Sequence, residues 1–241
     1  MNNLIKILFQ LKNFLFPGAC AVCGGSLTET EEIRFSLCDP CQLAIAFDKK
    51  NVPENKCSLC GKPLISEKDT CLTCRNREGR SYDRLWVLYP YTGKYRKLLT
   101  AYKFNKNLAL SGFFAEKIME LVTHDPLLKD AVIVPVPPRP GKIKMKGWDQ
   151  IDYLVKRLKK MNKEQKVSCC LRRRKSKAQK HLSRKERMEN LKGRIYLKKG
   201  APKTVLVIDD VITTGSTMEV CASVLKEGGA QKVYGLCLLY D

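Results

Sequence analysis

Two textures of apolar and polar positions divide this chain. Residues 17 to about 80 carry only short apolar runs, interrupted by Gly and Pro; from about residue 84, apolar runs of strand length alternate with stretches of helical period. Residues 85–91 (LWVLYPY) predict a strand, and 94–104 and 112–122 predict helices. Residues 131–137 (AVIVPVP) are an apolar run ending in proline, as expected of a buried parallel strand that opens into a loop. Ile151, Leu154, Val155 and Leu158 share one face of a helix over 148–161. Residues 167–171 predict another strand and 204–208 the clearest one. A helix over 216–227 follows, closed by Gly228-Gly229, and 232–240 is the last strand. Strands alternating with helices at this spacing predict an α/β fold, a mostly parallel sheet with helices on both faces, whose ligands bind beyond the carboxyl ends of the strands. The domains expected are a short amphipathic helix at 1–16, a cysteine-rich module at 17–80 and an α/β domain at 84–241.

Composition sharpens this picture. With 241 residues, 44% of them hydrophobic, the chain suffices for one good core and a small appendage. The net charge of +21 is unevenly placed: residues 139–203 hold 24 Lys/Arg against 5 Asp/Glu, and the rest of the chain holds 21 against 19. A local anionic partner explains such clustering better than general basicity. The apolar positions of residues 1–16 are broken by Lys6, Gln10, Lys12 and Asn13, and no stretch approaches the ~20 apolar residues of a membrane span. A cytoplasmic protein without a membrane span is expected.

Eight of the twelve cysteines form four Cys-x-x-Cys pairs: Cys20/Cys23, Cys38/Cys41, Cys57/Cys60 and Cys71/Cys74. Such a turn supplies two thiolates to one metal, whereas a disulfide framework needs no such spacing. Separations of 14 and then 10 residues within successive double pairs suit two tetrahedral zinc sites. With all four ligands from protein, both zinc ions are expected to be structural. Sequential pairing is the expectation, interleaved pairing the alternative. Glycine follows the second cysteine in Cys23-Gly24 and Cys60-Gly61, as in a tight metal-binding turn. Cys169, Cys170, Cys221 and Cys237 lie in apolar surroundings and read as small buried hydrophobes.

The densest chemistry is in residues 205–217, VLVIDDVITTGST. An apolar strand ends in Asp209 and Asp210. Then Thr213, Thr214, Gly215, Ser216 and Thr217 lead into a helix, so backbone N–H groups, hydroxyls and the positive helix end can wrap a phosphate. The two acids are placed to accept hydrogen bonds from sugar hydroxyls or to act through a divalent ion.

This segment resembles the phosphoribosyl diphosphate signature of type I phosphoribosyltransferases, and the chain from about Pro17 to its end resembles the ComF/ComFC family, double zinc ribbon included. Beyond the signature the resemblance rests on four further segments. They are Tyr91-x-Gly93 with the following Lys-rich helix to Lys103-Phe104, Val134-Pro135-Val136-Pro137, Lys146-Gly147-Trp148-Asp149-Gln150, and Gln179-x-x-Leu182-Ser183-Arg184-x-x-Arg187-x-x-Asn190. Lys146, Trp148 and Asp149 stand where the family usually has Arg, Phe and Asn. The resemblance implies a type I phosphoribosyltransferase-like fold and binding of phosphoribosyl diphosphate with Mg²⁺. Asp209 and Asp210 would contact the ribose hydroxyls, as the catalytic pair if turnover occurs, and Thr213 to Thr217 would hold the 5-phosphate. The loop around Pro137 to Arg139 would face the diphosphate. No residue reads as a general base and His181 reads as a surface residue, so binding is better supported than catalysis.

The run Arg172, Arg173, Arg174, Lys175 and Lys177 has three readings: a clamp on diphosphate, a nucleic-acid contact surface, or a solvated face. Clustering favours nucleic acid, and the resemblance points the same way, to natural competence and handling of incoming single-stranded DNA, with other DNA-uptake proteins as further partners. A metabolic phosphoribosyltransferase acting on an unknown acceptor, with release of diphosphate, is the alternative.

Overall fold

The computed structural model describes residues 18–51, 55–64, 66–76, 80–175, 191 and 193–241. The helix expected at 1–16, Lys177, His181 and the motif from Gln179 to Asn190 lie outside the described residues. Two compact units divide the chain: residues 1–52 with 92–114, and residues 53–91 with 115–241. Each of them contains one double pair of cysteines.

The first unit holds α1 (Thr30–Phe35), α2 (Asp39–Asn51) and α4 (Gly93–Lys103) together with the first cysteine turns. Lys97 Nζ donates to the Val22 carbonyl at 3.1 Å and Lys94 Nζ to that of Ala44 at 2.9 Å, while Phe35 meets Phe113 edge-on at 6.4 Å between ring centroids. The buried Glu32 carboxylate accepts from the backbone N–H groups of Thr28, Glu29 and Asp39 at 2.9, 3.2 and 2.9 Å, joining the start of α1 to that of α2.

In the second unit, β1 (Arg84–Pro90), β6 (Lys232–Tyr240), β5 (Thr204–Ile212) and β2 (Val132–Pro135) form a parallel sheet in that order. Seven consecutive residues of β6 are buried, as are Val205 to Ile208 of β5; since neighbours on a strand face opposite ways, both faces of the sheet are covered. Val205 and Val207 share a core layer with Met218, Cys221 and Leu225 of α8 (Ser216–Glu227). The helix α7 (Gln150–Met161) packs on β2 and β5, burying Ile151, Leu154, Val155 and Leu158 as its periodicity requires. The remaining described α-helices are α3 (Leu72–Arg75), α5 (Leu110–His124) and α6 (Lys142–Lys146).

Two strands differ from the sequence reading. β5 continues past residue 208 to Ile212, because Asp209, Val211 and Ile212 keep pairing with Cys237, Leu239 and Tyr240 of β6. Central position in the sheet overrides the polar interruption. Residues 167–171 are not one strand: Val167 makes a single parallel bridge to Ile133, and Leu171–Arg173 forms β3, antiparallel to β4 (Ile195–Leu197). Cys169 is exposed, whereas Cys170, Cys221 and Cys237 are buried as expected.

Candidate functional site

β5 and α8 place the densest chemistry at the carboxyl end of the sheet. Gly215 takes φ = 76° as the N-cap of α8, a left-handed conformation that glycine adopts without steric cost and that turns the chain from strand to helix. Thr214 Oγ1 and Ser216 Oγ lie 2.8 Å apart, and the Ser216 N–H also approaches Thr214 Oγ1 at 3.4 Å. Asp209, Thr213, Gly215, Ser216 and Thr217 line one pocket of about 30 Å³, and Thr213, Thr214 and Gly215 line a second cavity at the same loop. The positive end of the α8 dipole and small side chains make this pocket receptive to an anion.

The adjacent acids have different surroundings. Asp209 is half-buried at the pocket wall, and its Oδ1 accepts from the Asp210 N–H at 2.8 Å. Asp210 is buried: Oδ1 accepts from the Val211 N–H at 2.8 Å and Oδ2 from Gln150 Nε2 at 2.5 Å. Gln150 also receives Lys142 Nζ through its Oε1, and Lys142 Nζ reaches Asp149 Oδ2 at 2.5 Å. Asp149 in turn caps α7 through the N–H groups of Ile151 and Asp152. The chain Lys142–Gln150–Asp210 thus links α6 and α7 to β5. Beneath the acids, burial and then the Asp209 and Asp210 charges push the Cys237 thiol well up, so it stays protonated.

Pro135 pairs with Ile208, and the Val136 N–H donates to the Ile208 carbonyl at 3.0 Å, so the chain leaving β2 emerges beside Asp209. Pro137 there is buried and Arg139 exposed. The basic run does not act as one face. Arg172, Arg174 and Lys175 are exposed, with Arg174 stacked over the Tyr196 ring at 4.9 Å, while the intervening Arg173 is half-buried. Burial, then the like charge of Arg139, lowers the Arg173 guanidinium pKa, and Asp209 acts in the opposite direction; the three groups share one field.

The cysteines gather in sequential pairs. Cys20, Cys23, Cys38 and Cys41 form one group and Cys57, Cys60, Cys71 and Cys74 the other, with ligand atoms in each within 4.8 Å of one another. A tetrahedral thiolate site with Zn–S near 2.3 Å has S···S edges of about 3.8 Å. The Cys23–Cys38 and Cys60–Cys71 sulfurs are 3.6 and 3.8 Å apart, so both groups fit a metal ion such as zinc. Burial opposes ionisation of Cys20 and Cys57, yet backbone N–H groups outweigh it and hold these thiols down to about 6 and about 7. Each group thus holds one thiol favoured as thiolate, while burial pushes the Cys38, Cys41, Cys60 and Cys74 thiols up.

A phosphoribosyl transferase domain model matches residues 174–241, which include β4, β5, the loop, α8 and β6. Competence protein F of Haemophilus influenzae is 29% identical over 233 residues, covering 92% of this chain and 96% of that protein. Competence protein ComFC of Streptococcus pneumoniae is 26% identical over 201 residues, covering 82% and 84%. This chain is a homologue of the ComF/ComFC proteins. DNA utilization protein YhgH of Escherichia coli is 27% identical over 228 residues, covering 92% and 96%. The ComF/ComFC resemblance seen in the sequence therefore stands, with its phosphoribosyltransferase domain and its two four-cysteine groups. Among the described residues, no helix is long and apolar enough to cross a membrane.

Gln150, Lys142, Arg80, Tyr82 and Lys62 have no role legible from the sequence alone. Gln150 stood inside a motif that carried the resemblance, which was its only signal. Lys62, Arg80 and Tyr240 line a second cavity, about 110 Å³, between the second cysteine group and Thr213–Gly215. Nothing local in the sequence marks them.

Proposed function

We propose that this protein binds 5-phosphoribosyl diphosphate with Mg²⁺ and serves the handling of incoming single-stranded DNA. The carrying observation is the pocket at the end of β5, where a left-handed glycine, small hydroxyl side chains and a helix N-terminus adjoin a half-buried acid. The 5-phosphate sits on Thr213 to Thr217 and the ribose hydroxyls meet Asp209 and Asp210. A carboxylate oxygen has two lone pairs, so Asp210 accepts a hydroxyl while keeping Gln150. Arg139 and Arg173 face the diphosphate, whose charge relieves their mutual repulsion. Mg²⁺ would add charge stabilisation at the diphosphate. Zinc in both cysteine groups is structural. The exposed Arg172, Arg174 and Lys175, with the neighbouring Lys177, contact DNA phosphates. The relatives named for competence and DNA utilization support that setting.

Calorimetry with Mg²⁺ and phosphoribosyl diphosphate tests the site. Wild type is expected to bind, and Asp209→Asn to lose about tenfold or more in affinity, the loss of a hydrogen bond to a charged group. Unchanged affinity in a folded Asp209→Asn protein would remove the sugar assignment.

A further inference from the structure

We infer that the second cysteine group is the scaffold of the phosphate loop, with Arg80 as the positioning residue that ties them together. The functional consequence rests on the phosphate-loop reading above; the structural coupling does not. Residues 80–85 run as a strap between the two features. At one end Arg80 Nη2 donates to Cys74 Sγ at 2.8 Å, and Nη1 donates to the Leu59 carbonyl at 3.0 Å and to the Tyr82 hydroxyl. Tyr82 is 2% exposed and its hydroxyl donates to the same Leu59 carbonyl at 2.7 Å. That hydroxyl lies 3.7 Å from where a Gly215 Cβ would stand, against the left-handed turn of the loop. Between Arg80 and Tyr82, the Ser81 N–H donates to Glu219 Oε1 at 2.8 Å, in the first turn of α8. The Leu85 N–H closes the strap on the Ser58 carbonyl at 2.7 Å, beside Cys57.

The same strap therefore touches a metal-ligand sulfur, the glycine that shapes the loop and the helix that follows it. A four-thiolate metal site keeps Cys74 Sγ an anionic acceptor for Arg80. A metal ion there would hold the four sulfurs together, and without it nothing would fix Cys74 as the acceptor of the half-buried guanidinium. Tyr82 then loses its clamp on the Leu59 carbonyl, and Gly215 its backing. Order in residues 213–217 depends on the second group. The first group, which lies in the other compact unit, is the internal control.

Amide hydrogen exchange on the full chain without ligand, combined with metal content, tests this. Four proteins are compared: wild type, Cys74→Ser, Arg80→Met and Cys41→Ser. Arg80→Met keeps both metal ions, and the loop-closing amides at the start of α8, such as the Glu219 N–H on the Gly215 carbonyl at 2.9 Å, exchange about tenfold or more faster, the loss of a charged hydrogen bond in a locally opening segment. Cys74→Ser loses one ion with the same effect on those amides. Cys41→Ser loses one ion and leaves them at wild-type rates. Wild-type loop exchange in Arg80→Met, or equal acceleration by Cys41→Ser and Cys74→Ser, would overturn the inference. Should Cys74→Ser fail to fold, Arg80→Met decides alone. Phosphoribosyl diphosphate titrations on the same proteins separate the two readings: absence of binding by wild type sinks the ligand, and the exchange pattern still decides the coupling.

Discussion

Asp209 and Asp210 are identical in type and adjacent in sequence, but only their neighbours separate them. Asp209 borders the pocket, and Asp210 is buried on Gln150. Gln150→Leu should lower stability by about 1.5–3 kcal/mol, since a buried carboxylate loses a charge-assisted donor. Urea unfolding of the purified protein measures this, and a change under 0.5 kcal/mol would show that the bond carries no weight. Glu32 offers a pH test. The backbone N–H groups of Asp39, Thr28 and Glu29 hold its carboxyl below its ordinary value of 4.5. A depressed pKa stabilises the fold above that ordinary value, and the contribution fades as pH falls through the folded pKa. Glu32→Gln should therefore unfold at lower temperature than wild type at pH 7, with the gap closing below about pH 4.5. A gap independent of pH would contradict the cause given.

Among the elements, the two metal-binding turns look alike in sequence and differ in their surroundings. Gly24 and Gly61 have φ of 80° and 71°, as the repeated glycine after Cys23 and Cys60 leads one to expect. A Cβ on Gly24 would meet nothing within 4 Å, whereas on Gly61 it would collide with Val87 of β1. Gly24→Ala carries only left-handed strain, about 1–2 kcal/mol. Gly61→Ala adds overpacking of about 1–3 kcal/mol against a stiff β-branched side chain. Thermal unfolding should show the larger fall for Gly61→Ala, and equal shifts would deny the second turn its packing on the sheet. β5 carries a related lesson: its pattern suggested an end at residue 208, but the ladder to β6 carried it through both acids.

For the whole molecule, charge is the governing quantity. The excess lies in residues 139–203, and the described part of the basic run splits into exposed Arg172, Arg174 and Lys175 and a half-buried Arg173. If the exposed three meet phosphates, replacing all of them with Ala should reduce the log–log salt slope of single-stranded DNA binding by about 2, at about 0.7 per phosphate. Arg173→Ala should instead weaken phosphoribosyl diphosphate binding and leave that slope nearly unchanged. Fluorescence anisotropy across a salt series distinguishes them, and no binding at low salt would remove the DNA reading.

Sequence alone determined what depends on local chemistry and period. The cysteine spacing, the glycine that starts α8, and the apolar runs of β2, β5 and β6 each carry their reason within a few residues. Tertiary structure decided what depends on distant partners. The contact of Gln150 with Asp210 spans 60 positions and that of Ser81 with Glu219 spans 138. Likewise, no local pattern records that the second cysteine group lines a cavity with the phosphate loop, because that proximity arises only when β1 and β5 both pair with β6.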